Sequence, residues 1–165
     1  MGTIGIVVSL LTSPYQLARL TNFVEGSGED AGNYQITQSL IGMGNGQVFG
    51  VGLGNSIQKL QYLPEPHTDF VFAFVGEEMG LVGTIGVVGL FIAFAVLGLK
   101  IAQSSVSSHG FLLATGMTSM ISIYAMLNMG VVTGLLPTTG LPLPFLSYGG
   151  SSLILNMAGV GILLG

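Results

Sequence analysis

A short stretch of the chain concentrates side chains that can move protons. It runs Tyr62-Leu-Pro-Glu-Pro-His-Thr-Asp-Phe70 and is closed by Gly76-Glu-Glu-Met-Gly80. Asp69 and Glu65 lie four positions apart with His67 between them. A carboxylate partly removed from water accepts a proton readily, which suits a general base. The alternative for Asp69 is structural, because a carboxylate at the start of an apolar helix stabilises the helix dipole.

Other polar residues extend this set toward an anionic ligand. Arg19 and Lys59 are candidates to bind an anionic group such as a diphosphate. Ser147 and Tyr148 offer hydroxyl groups from a later loop. Carboxylate, cations and a neighbouring apolar surface together predict group transfer from a lipid-linked anionic donor.

The acidic motif also contains side chains that could bind a metal ion. Glu65, His67 and Asp69 offer oxygen and nitrogen ligands, but the sequence lacks the Cys or paired-His spacing of a zinc site. Mg²⁺ or Mn²⁺ bridging a carboxylate and a diphosphate is the cofactor that these residue types allow.

The composition shows where such chemistry would take place. The 165 residues are 50% hydrophobic and 6% charged, whereas soluble domains carry about 25% charged residues. The deficit excludes an ordinary soluble domain, and long apolar runs predict membrane helices. A net charge of −4 without a basic patch excludes a nucleic-acid partner. Only one charged residue, Lys100, follows Glu78.

The chain is predicted to have three parts. Residues 1–14 are read as a truncated membrane helix, with a signal peptide as the alternative. Residues 15–82 form a large extracytoplasmic loop that contains the acidic motif and interfacial helices, with one short helix predicted at 35–43 from its apolar spacing. Residues 83–165 form three membrane helices, predicted at 83–101, 110–135 and 149–165, with a Pro/Gly-rich outside loop at 136–148. The second helix carries polar residues that should face other helices in a lipid bilayer: Thr118, Ser119, Ser122 and Asn128. Lys100 supports this orientation through the positive-inside rule.

Glycines and prolines mark the regions of close packing. Six glycines between positions 42 and 54 permit positive φ and close backbone approach to a ligand, with a flexible linker as the alternative. Gly83, Gly86 and Gly89 place small residues on one helix face, which we expect to pack inward. The prolines of 136–148 disfavour helix. An apolar, non-helical segment at membrane depth must be buried, so we expect this loop to pack beside the acidic motif.

Several motifs resemble a known family in order along the chain. They are Gly32-Asn-Tyr-Gln-Ile-Thr-Gln-Ser-Leu40, Gly50-Val-Gly-Leu-Gly-Asn-Ser56, the acidic stretch with Gly76-Glu-Glu-Met-Gly-Leu-Val-Gly83, and Leu141-Pro-Leu-Pro-Phe-Leu-Ser-Tyr-Gly-Gly-Ser151. The chain thus resembles the bacterial shape, elongation, division and sporulation (SEDS) family of FtsW, RodA and SpoVE. Gln58-Lys59 is more similar to the FtsW branch.

The resemblance implies an all-α integral membrane fold and an enzymatic activity. Family members have ten helices, and this chain would be the C-terminal part, with about four helices, of which the first is truncated. The implied activity is that of a peptidoglycan glycosyltransferase, which polymerises lipid II at the outer face of the bacterial inner membrane. The family's essential aspartate maps onto Asp69, as general base or metal holder. The implied partner is a class B penicillin-binding protein, and the fragment alone is expected to be inactive.

Two other functions remain as alternatives. A lipid II flippase or transporter would place ionisable groups near the bilayer midplane on broken helices. A non-catalytic scaffold would only recruit and activate a penicillin-binding protein, which small-residue helix faces also allow.

Overall fold

The computed structural model describes residues 31–55 and 69–164, which form four helices and no strand. The helices are α1 (Ala31–Gly46), α2 (Val71–Ser104), α3 (Ser108–Val132) and α4 (Gly150–Leu164). The predicted all-α class is confirmed for these residues. The predicted short helix at 35–43 lies within α1, and the predicted helix at 1–14 lies outside the described residues.

The long helix α2 begins earlier than the sequence predicted. It starts at Val71 instead of Gly83, so Glu77 and Glu78 lie inside it and not at a helix start. The helix is interrupted at Gly80, whose φ of 65° and ψ of −156° are not helical. The charged pair and the glycine do not fit an uninterrupted apolar helix, so they led to the later predicted start. The observed start agrees with the alternative that placed Asp69 at the beginning of an apolar helix.

Local signals set the ends of α3. At its start Ser107 caps the helix, and its side chain accepts a hydrogen bond from the Gly110 N–H at 3.0 Å. At its end Gly134 adopts a φ of 72°, and its N–H donates to the Val131 carbonyl at 3.0 Å. A left-handed glycine followed by a proline is a common way to stop a helix. The helix therefore ends at Val132, slightly before the predicted end at 135.

The core lies where the start of α2 meets the end of α3. Its buried residues come from both helices and from the loop between α3 and α4: Phe70, Phe72, Ala73, Phe91, Ala125, Val132 and Leu143. Farther along, Ala102, Ala114 and Leu163 join α2, α3 and α4 in a second cluster. The first cluster packs the start of α2, which follows the acidic motif, against the C-terminal part of α3.

Among the described residues, the expected inward face of glycines packs only at Gly83. Gly83 is buried, but Gly86 and Gly89 are exposed and have no neighbouring atom within 4 Å of a Cβ built on them. A close contact with α3 lies nearer the C-terminal end of α2, where Gly98 packs directly against Thr118. A small residue allows this approach, but spacing alone did not identify which glycine makes it.

Two helices are long and apolar enough to cross a membrane. They are α2, with 34 residues, and α3, with 25, whereas α4 is apolar but has only 15. On α3, Thr118 and Asn128 are buried at 1% and 2% exposure. The prediction that polar residues of this helix face other parts of the protein is confirmed at these positions.

Candidate active site

Asp69 lies at the junction between the acidic motif and α2. It occupies a bend immediately before the helix and is half-buried, while Phe70 and Phe72 are 5% and 3% exposed. The two phenylalanines anchor the junction in the core. A Cβ built on Gly140 would lie 3.5 Å from Asp69 Oδ2, so the carboxylate is beside the backbone of the Pro/Gly-rich loop. The expected packing of this loop beside the acidic motif is confirmed at Asp69.

The Asn128 side chain, on α3, forms hydrogen bonds with both of these segments. Its side-chain N–H₂ donates to the Asp69 carbonyl at 2.7 Å and to the Leu141 carbonyl at 2.6 Å. Its Oδ1 is buried and has no hydrogen-bond partner among the described residues. The amide therefore joins α3 to the backbone before α2 and to the loop before α4.

The Pro/Gly-rich loop is non-helical, as the prolines predicted, and it is held by Ser147. The Ser147 Oγ accepts a hydrogen bond from the Leu143 N–H at 2.7 Å, and the Ser147 N–H donates to the Leu143 carbonyl at 3.0 Å. Both residues are buried, at 7% and 1% exposure. The Ser147 hydroxyl, which the sequence suggested as a site group, is thus hydrogen-bonded within the loop.

A cleft of about 800 Å³ opens between the first turns of α2 and the start of α4. Its polar side chains are Glu78, Ser147 and Tyr148, and the rest of its lining is mainly apolar. Tyr148 is 82% exposed, which leaves its ring and hydroxyl accessible. An apolar cleft with a few polar groups is the usual form of a small-molecule binding site.

The segment 47–52 packs into the interruption of α2. The N–H groups of Val51 and Gly52 donate to the carbonyls of Glu77 and Glu78 at 2.9 and 3.1 Å. In return, the N–H groups of Leu81 and Val82 donate to the carbonyls of Gln47 and Val48 at 2.9 and 3.3 Å. These bonds satisfy helix groups that the break at Gly80 would otherwise leave without partners.

This packing corrects the interpretation of the glycines between positions 42 and 54. Positive φ is found at Gly50, Gly52 and Gly54, with values of 79°, 98° and 84°. However, a Cβ on Gly50 would meet the carbonyl of Glu78. The close backbone approach of this glycine is therefore to α2 and not to a ligand.

The remaining predicted site residues lie outside the described ranges: Arg19, Lys59, Glu65 and His67. Across residues 31–55 and 69–164, no three His, Asp or Glu side chains group so that they could hold a metal ion. Metal binding through Asp69 together with Glu65 and His67 therefore stays a prediction.

The structure adds two residues, Glu78 and Asn128, that the sequence did not mark as site residues. Glu78 lines the cleft, whereas the sequence placed it only within the acidic motif. Asn128 was expected simply to face other helices. Its position near the end of a polar series on α3 was the available signal, but only the fold shows that its partners are two loop carbonyls.

Sequence comparison agrees with the motifs. A model of the cell cycle protein family of FtsW, RodA and SpoVE matches residues 1–165. The chain belongs to this family. The resemblance stated from the motifs is confirmed, and with it the description of the chain as a membrane protein.

Individual relatives cover almost the whole chain. Stage V sporulation protein E of Bacillus subtilis (strain 168) is 47% identical over 165 residues, which are 99% of this chain and 45% of that protein. The "Probable peptidoglycan glycosyltransferase FtsW" of Coxiella burnetii is 47% identical over 164 residues, which are 97% of this chain and 44% of that protein. The chain thus spans less than half the length of these family members.

Solved structures support the same fold. A chain from a peptidoglycan synthase complex, described as coordinating polymerization and crosslinking, aligns with a TM-score of 0.71 at 28% identity. The alignment covers 98% of this chain and 44% of that one. The rod shape determining protein RodA of Thermus thermophilus, in an aspartate-to-alanine mutant, aligns with a TM-score of 0.57 at 39% identity, over 61% of this chain and 34% of that one.

Proposed function

We propose that the protein to which this chain belongs is a peptidoglycan glycosyltransferase that polymerises lipid II into glycan strands, with Asp69 as the general base. The observation that carries the proposal is the position of Asp69. Its half-buried carboxylate is held at the polar end of apolar helices, beside the Pro/Gly-rich loop and before the cleft-lining part of α2. The names of the relatives support the same reaction class.

The reaction follows from the groups present. The Asp69 carboxylate takes the proton from the 4-hydroxyl of the acceptor sugar while that oxygen attacks the anomeric carbon of the donor. A new glycosidic C–O bond forms, the bond to the diphosphate breaks, and undecaprenyl diphosphate leaves with the electron pair. A base in contact with the attacking hydroxyl contributes typically about 10²–10⁴-fold to the rate.

The other predicted residues have secondary roles in this proposal. Arg19 and Lys59 stabilise the negative charge of the leaving diphosphate, as cations do for phosphate oxygens. Glu65 and His67 adjoin the base in the sequence, and Ser147 and Tyr148 contact the substrate from the cleft. Mg²⁺ or Mn²⁺, if bound by Asp69 and its neighbours, would neutralise diphosphate charge.

The cellular setting follows from the same proposal. Lipid II presents its sugars on the outer face of the bacterial inner membrane, so Asp69 lies on the extracytoplasmic side of a multi-pass protein. Glycan strands must be crosslinked after polymerisation, and we propose a class B penicillin-binding protein as the partner. The synthase complex among the structural matches supports this pairing.

The decisive experiment measures polymerisation of lipid II by the full-length protein. The substitution Asp69→Ala is expected to lower the rate by about 10²-fold or more, because the base is lost, while membrane insertion is retained. Lys100→Gln is the matched control, since Lys100 is exposed toward the opposite end of α2. Normal polymerisation by folded Asp69→Ala would exclude Asp69 as the base. Repeating the assay with and without Mg²⁺ or Mn²⁺ tests the metal.

One observation favours a transporter as a second candidate. Glu77 is 1% exposed and lies beside the interruption of α2 at Gly80. Buried carboxylates on interrupted membrane helices are typical of transport sites. A purified protein that moves lipid II across vesicle bilayers without forming polymer, and loses this activity in Glu77→Gln, would support transport over polymerisation.

A further inference from the structure

Asn128 makes an unusual pair of contacts for a polar residue in a membrane-spanning helix. Both of its hydrogen bonds go to carbonyl groups of non-helical backbone, one at Asp69 and the other at Leu141. A residue that only joined helices would bond to a group on a neighbouring helix. Here the two bonded segments are those that carry the proposed base and the proposed substrate-contacting loop.

We propose that Asn128 is a positioning residue that sets where the Asp69 carboxylate lies relative to the Pro/Gly-rich loop. This inference rests on the proposed function of Asp69. Asn128 does not reach the substrate in this proposal. It acts through the backbone of Asp69, and any shift of that backbone moves the carboxylate with it.

The chemistry of the amide suits this role. Both partners are acceptors, so the N–H₂ group must face them, and each of its two protons satisfies one carbonyl. The residue is 2% exposed, so water does not compete for these bonds and the low dielectric strengthens them. Replacement by Asp would place a carboxylate oxygen against two carbonyls, and replacement by Ala would leave both carbonyls without this donor.

The two hydrogen bonds of Asn128 lie next to the contact between Asp69 and the Pro/Gly-rich loop. Leu141 follows Gly140, and Gly140 is the residue whose backbone faces Asp69 Oδ2. By bonding residues 69 and 141 together, Asn128 fixes the separation between the carboxylate and the loop. A misplacement of about 1 Å at a reacting group costs on the order of 10²-fold in rate.

The first test measures the kinetics of lipid II polymerisation by the full-length protein, per folded molecule. Asn128→Ala is expected to lower kcat by about tenfold or more and to leave KM within about twofold, because the base is misplaced while most substrate contacts remain. Asn156→Ala is the matched control. Asn156 is a half-buried amide on α4 and is expected to show unchanged kinetics.

Asn128→Gln separates positioning from simple structural support. It keeps the amide but moves it by one methylene, so the protein should fold while kcat falls as in Asn128→Ala. If Asn128→Ala does not reach the folded membrane fraction, Asn128→Gln decides the question. Wild-type kcat in folded Asn128→Ala or in Asn128→Gln overturns the inference.

A second test does not depend on activity. The sequence contains no cysteine, so Asp69→Cys and Leu141→Cys, at the two residues whose carbonyls share the Asn128 amide, provide one defined pair for oxidative crosslinking in a full-length protein cleared of any other cysteine. Crosslinking is expected to slow several-fold when Asn128→Ala is added, and not when Asn156→Ala is added. An unchanged crosslinking rate overturns the inference. Normal polymerisation by Asp69→Ala would instead reject the proposed base, and the crosslinking result would still decide whether Asn128 controls the position of residue 69.

Discussion

Two irregular segments contact the first turns of α2, and different kinds of bond hold them there. The segment 47–52 is fixed to α2 by four backbone hydrogen bonds around Gly80. The loop at 136–148 is fixed by side chains, through the amide of Asn128 and the hydroxyl of Ser147. The first contact needs glycine at the points of closest approach, Gly50 and Gly80, where a Cβ would meet the other segment's backbone, and the second needs specific side-chain atoms.

The two segments therefore position different acidic residues. The segment 47–52 holds the interruption of α2 and so determines where Glu77 and Glu78 lie. The 136–148 loop determines the surroundings of Asp69. Backbone contacts of the first kind tolerate no added volume, whereas the second kind can lose one bond and keep the fold. Three predictions test this comparison, and their expected effects decrease in order.

Gly50→Ala should have the largest effect. Gly50 has a φ of 79°, and a Cβ there would meet the carbonyl of Glu78. Backbone strain together with displacement of the segment is expected to cost about 3 kcal/mol or more of unfolding free energy. Unfolding in mixed detergent micelles measures this cost.

Gly44→Ala is the matched control for that change. Gly44 lies in α1, and a Cβ there has no neighbour within 4 Å. Alanine is the better helix former, so the control should be neutral or stabilising by up to about 1 kcal/mol. Equal destabilisation by both variants would contradict a specific backbone contact at Gly50.

Ser147→Ala should have an intermediate effect. It removes the acceptor of the buried Leu143 N–H, and an unsatisfied buried donor costs about 1–3 kcal/mol. Ser151→Ala, at an exposed position in the first turn of α4, should change the unfolding free energy by no more than about 0.5 kcal/mol. If thermal unfolding does not distinguish the two serines, the loop is not held by this bond.

Tyr148→Ala should have the smallest effect on stability, within about 0.5 kcal/mol, because the side chain is 82% exposed. If the cleft receives the substrate, the change should appear as a raised KM for lipid II, since a contact surface is lost. Tyr148→Phe keeps the ring and separates its contribution from that of the hydroxyl. An unchanged KM in Tyr148→Ala would place the substrate away from this wall of the cleft.

Much of the site could be predicted because it rests on local chemistry. The prolines at 142 and 144 marked a non-helical segment, and its apolar residues required burial, which Leu143 shows. The density of acidic residues marked the junction before α2. The start of α2 was anticipated only by the alternative that placed Asp69 at the start of an apolar helix. The break at Gly80 could not be predicted, because a distant segment completes its hydrogen bonds.

The sequence by itself determined the class of the protein, the family and the identity of the candidate base, because charge deficit, apolar length and ordered motifs depend only on residue types. Tertiary structure alone decided which glycine meets which backbone and which carbonyls Asn128 bonds. Those contacts join residues far apart in the chain: Asn128 and Asp69 are separated by 59 positions. Spacing along the sequence records the period of a helix face, but it does not record which other segment packs against that face.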